Sequence, residues 1–218
     1  DQDKNRFAVL NDLGRAFTML SIFFAVDLIP HVILPMLYPS VMAITLTHWF
    51  AHIILFVGSI LMARAAVVFF NPSWKNAVSI LVALIAMAAA TTSILRPDHL
   101  FYIPASIYPL IRSAPLYAYL NLASNMFSFG IWGFYLIIKG FFAVHPVVRV
   151  RAVLLGIGML CVPVAGYIIH FVVSPYVPMF IYASFIGMAV FMGSGALYTA
   201  RRLEVEVVDG QPRSHQPA

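Results

Sequence analysis

Charge is scarce in this chain: only 10% of its 218 residues are Asp, Glu, Lys or Arg, and just eight are acidic. A soluble domain carries roughly a quarter charged residues, so an ordinary water-soluble enzyme does not fit. Cysteine is nearly absent too. The single Cys161 leaves no disulfide framework and no thiolate metal cluster. Acidic side chains are rarer still within the apolar runs, where Asp27 stands alone. What the chain has in excess is hydrocarbon, with 62% apolar residues and a mean hydropathy of +0.92. The pI of about 9.5 does not point to nucleic acid, because the basic residues are scattered between long apolar runs and form no patch.

Crossing a bilayer takes roughly 20 mostly apolar residues. Six stretches qualify, near Ala16–Tyr38, Val41–Leu61, Ala77–Leu95, Leu120–Ile138, Ala152–Val173 and Met179–Ala200. Leu100–Tyr119 is apolar as well, but Pro104, Pro109, Pro115 and Arg112 interrupt it. That pattern predicts a re-entrant or interfacial segment between the third and fourth helices. The expected fold class is therefore all-α: a polytopic integral membrane bundle of six transmembrane helices over residues 1–202, with a disordered cytoplasmic tail at 203–218.

Sorting the basic residues between the two faces of this bundle sets its orientation. Eleven of the 13 lie on one face, and only Arg96 and Arg112 lie on the other. The positive-inside rule then places both termini in the cytoplasm, in what reads as a bacterial inner membrane. The first span is too long for a signal-peptide core and is expected to be retained.

Asp27 falls near the midplane of the first span, where an ionisable group costs at least about 3 kcal/mol unless paired or neutralised. His31 follows four residues later, on the same helical face. The second span carries a matching pair, His48 and His52, and a tight turn at Tyr38-Pro39-Ser40 joins the two spans as an antiparallel hairpin. Residues at equal depth in such a hairpin have numbers with a constant sum. On that count Asp27 lies level with His52, and His31 with His48. Three readings fit the four residues: a hydrogen-bonded network, a transition metal (Zn, Cu or Fe) held by Asp27, His31, His48 and His52, or haem b ligated by histidines. Directly packed helices lie 8–10 Å apart, too close for a macrocycle between two imidazoles, so a haem would use one hairpin histidine together with His170 on the fifth span. Nearby Gly166 would let a flat ring approach, and Asn121 and Asn125 share a face that would border the same cavity or bond across to a neighbouring helix. Tyr117, Tyr119 and other aromatic residues near the outer ends read as interfacial anchors, and the Phe101–Tyr119 segment as a candidate quinone pocket.

The leading expectation is a membrane-embedded subunit of a redox or energy-converting complex. It would bind haem b or a metal through His31, His48, His52 and His170, contact quinone, and assemble with partner membrane subunits. A metal-dependent intramembrane enzyme or ion transporter using Asp27 is the alternative, and a membrane sensor or structural module is a third.

Overall fold

The computed structural model describes residues 2–38, 40–68, 71–95, 99–102, 109–112, 115–144, 146–172, 180, 183–184, 186–195 and 197–198. The expected tail at 203–218 lies outside them, as do His145, His215 and parts of the Phe101–Tyr119 segment. Helix α1 (Gln2–Leu28) runs through a π-helical turn at Ile29–Ile33 into the short α2 (Leu34–Leu37). Pro30 has no N–H to close the α-helical bond to Val26, and the ladder widens at that point. After the turn, the Ser40 hydroxyl accepts from the Ala43 amide at 3.4 Å and starts α3 (Val41–Val67). A 3₁₀ turn at Pro72–Trp74 leads into α4 (Lys75–Leu95).

Between α4 and the next helix, the expected re-entrant or surface-lying segment takes the form of an antiparallel hairpin. Its strands are β1 (His99–Tyr102) and β2 (Pro109–Arg112), with His99 opposite Arg112. Helix α5 (Pro115–Asn125) then begins five residues before the predicted edge at Leu120. Pro115 does not delay it, because the first helical position needs no N–H donor. A second π turn, Met126–Gly130, joins α5 to α6 (Ile131–Phe141), and α7 (Pro146–Phe171) follows.

Among the described residues, four helical segments are long and apolar enough to cross a membrane: Ala8–Ile33, Met42–Val67, Pro72–Thr92 and Pro115–Phe141. The expected fifth and sixth spans contribute shorter apolar stretches among the described residues, Ala152–Ile168 and Ile186–Gly195. Leu46, Phe50, Leu84, Phe134, Leu154 and Val190 are each more than half exposed, an outer surface suited to lipid and not to water. The core sits where α1, α3, α6 and α7 meet, around Leu20, Ala51, Met62, Phe129 and Met159.

Two contacts hold this bundle in register. At the α6–α7 crossing, a Cβ on Gly156 would stand 2.6 Å from the Gly133 carbonyl oxygen, and one on Gly133 would stand 2.8 Å from that of Gly156. Backbone touches backbone here, as small residues allow between membrane helices. At the other contact, Asp12 of α1 is buried with its Oδ2 3.2 Å from Lys75 Nζ and 3.5 Å from Arg64 Nε. Asp12 lies inside the first apolar segment, so Asp27 is not the sole acidic residue of a span. Replacing Asp12 with Asn leaves two cations facing a neutral amide. Because both cations are partly exposed, the cost is about 1 kcal/mol, read as a lower denaturation midpoint of detergent-solubilised protein that high salt narrows.

Candidate metal centre

Four polar side chains of the α1–α3 hairpin meet in an otherwise apolar interior. Asp27, His31, His48 and His52 are all buried. One Asp27 oxygen lies 3.5 Å from His48 Nδ1, and the other lies 3.5 Å from His31 Nε2. The rings of His31 and His48 are 5.2 Å apart and those of His48 and His52 4.1 Å apart. His31 and His48 are therefore neighbours, as equal-depth counting predicts, and Asp27 lies 3.5 Å from His48 with His52 in the same group.

Ligand atoms of Asp27, His48 and His52 all lie within 4.8 Å of one another, and this trio could hold a metal ion. Ligands around a tetrahedral Zn-sized ion stand about 3.4 Å apart at bond lengths near 2.1 Å, so the Asp27–His48 pair is already spaced for a shared ion. His52 Nδ1 donates to the His48 carbonyl oxygen at 2.9 Å. That bond places the proton on Nδ1 and the lone pair on Nε2, the arrangement a metal-binding imidazole requires. His31 stands outside the trio. Its Nε2 lies 3.5 Å from the second oxygen of Asp27, beside the trio.

The facing wall comes from α5 and α7. Tyr117, Asn121, Ser124, Asn125 and Ser128 form a buried stripe along α5 and the π turn after it. Asn125 Nδ2 donates to Asn121 Oδ1 at 3.4 Å, and Asn121 Nδ2 donates to His170 Nε2 at 3.1 Å. With Nε2 accepting, the proton of His170 is on Nδ1, which is buried without a hydrogen-bond partner among the described residues. The Tyr117 ring lies 5.5 Å from His52 and 6.0 Å from His170. Between the two walls is a cavity bounded by Asp27, His31, His48 and His52 on one side and Asn121, Asn125, Gly166 and His170 on the other. Phe23, Phe24, Leu55, Val162 and Ala165 complete the lining. Its free volume, about 40 Å³, holds about three waters.

All five residues singled out from sequence, Asp27, His31, His48, His52 and His170, thus border one cavity, and so do Asn121 and Asn125. Tyr117 is a correction. It reads as an interfacial anchor, yet it is 1% exposed and packs against the histidines. The signal for it was the spacing Tyr117, Asn121, Asn125, which repeats every four residues and marks a single helical face. Comparison with known protein families, curated proteins and solved structures returns no match to this chain.

Proposed function

We propose that this chain is a membrane-embedded subunit of a redox or energy-converting complex, holding one transition-metal ion through Asp27, His48 and His52. In this reading the protein is a six-span bundle of a bacterial inner membrane with both termini in the cytoplasm. Partner subunits and membrane quinone exchange electrons with the centre. One observation carries the proposal: a carboxylate and two imidazoles from adjacent helices converge within 4.8 Å, fully enclosed. Three protein ligands leave a coordination position open, the habit of reactive sites and not of structural ones.

The same geometry favours an ion over haem b. The Tyr117 ring packs 5.5 Å from His52 and 6.0 Å from His170, and the cavity bordered by those two histidines holds about three waters, far short of a macrocycle. Two imidazoles and one carboxylate suit iron, zinc and copper alike, and with a monovalent ion the single carboxylate would leave a neutral centre where net charge is costly. Elemental analysis of purified protein offered Cu, Fe and Zn should find about one ion per chain, with no Soret band in its spectrum. Metal-free protein would overturn the ion, and a Soret band would restore haem.

The 3.5 Å contact between Asp27 and His31 supports a second reading, an intramembrane enzyme or ion transporter in which that pair carries a proton. Ion flux or turnover lost in Asp27→Asn, with no redox-active metal in the wild type, would favour it.

A further inference from the structure

We infer that the open position of this centre takes a diatomic gas, which the Asn125–Asn121–His170 chain holds through a hydrogen bond from His170 Nδ1. The inference rests on the metal reading and adds the ligand class.

Size comes first. A cavity with room for about three waters admits a diatomic molecule. Polarity comes next. Phe23, Phe24, Leu55, Val162 and Ala165 form the apolar part of the lining, beside the polar His31, Asn121, Asn125 and His170, so a small guest finds hydrocarbon along its path and a few polar groups at its seat. The third element is the donor. Two asparagine amides fix the His170 tautomer, each passing its own N–H forward, so that the chain ends in an N–H with no acceptor among the described residues. A gas bound to an electron-rich metal gains negative charge on its far atom, and a donor placed there strengthens the complex. Binding forms one coordinate bond and changes no oxidation state, and the proton stays on His170. Gly166, on the same wall, keeps the space open: a Cβ there would meet only the Asn125 amide, at 3.4 Å.

Carbon monoxide tests this on full-length protein loaded anaerobically with cuprous copper, with metal content measured in every sample. The expected result is an infrared band of bound CO at one per copper. In His170→Leu the band moves to higher frequency and the affinity falls about tenfold, the order expected for one lost hydrogen bond. In Gly166→Leu the band disappears while copper remains bound. Copper-loaded protein that binds no CO would overturn the gas site and leave the metal centre standing, as would variants that bind CO like the wild type. Protein that takes up no copper would overturn the metal reading, and the gas site with it.

Discussion

His48→Ala is expected to lower bound metal from about one ion per chain to below about 0.1. His48 is the hub of the centre: it faces Asp27 at 3.5 Å, and its ring lies 4.1 Å from that of His52 and 5.2 Å from that of His31. A structural metal site of four ligands gains about 10–16 kcal/mol, so each ligand is worth about 3 kcal/mol, more than a hundredfold in affinity. His31→Ala provides the contrast. His31 acts through Asp27, and loss of such an orienting partner typically weakens binding by about 10- to 100-fold without removing a ligand. Metal titration of the two variants side by side separates the roles, and equal losses in both would make His31 a ligand after all. Chelation should also lower the denaturation temperature of the wild type and leave that of His48→Ala unchanged, because only a site that binds can stabilise by binding.

The second large effect is structural. Gly156→Ala places a methyl group 2.6 Å from the Gly133 carbonyl oxygen, a backbone atom that cannot rotate away. The α6–α7 crossing must open, at a cost of about 2–3 kcal/mol. Thermal denaturation of detergent-solubilised protein reads this directly, and an unchanged midpoint would show that the crossing is looser than described. The metal trio lies on α1 and α3, so Gly156→Ala should keep its ion even as it loses stability. The two predictions are mirror images, one emptying the site in a folded bundle and the other loosening the bundle around a filled site.

Much of the site was legible in the sequence because helical spacing is a strong rule. The pairs Asp27/His31 and His48/His52 each hold one helical face, and the short turn between their helices leaves little freedom in pairing them. Asn121 and Asn125 were legible for the same reason. Tyr117 was not, since an aromatic residue near a helix end is ordinarily an anchor, and only its phase relative to Asn121 distinguishes it. Asp12 fell outside the first span as drawn from Ala16; its partners Arg64 and Lys75 are distant in sequence. The β1–β2 pairing is local, but the prolines that broke the helical pattern there said nothing of what replaced it.

The two π turns give chain length a role in the site. One contains His31, and the other begins directly after Asn125. Each holds a residue more than an α-helical turn, and removing that residue would let the ladder close in the ordinary way. All that follows would then rotate by about 100° relative to what precedes it. Exchanging Phe127 for another side chain alters a half-exposed position facing outward, whereas deleting it would swing Trp132 and the whole α6 face out of the core while the asparagines stayed in place. Divergence in this fold is thus free to swap exposed letters such as Phe127 at these turns but not to change their count.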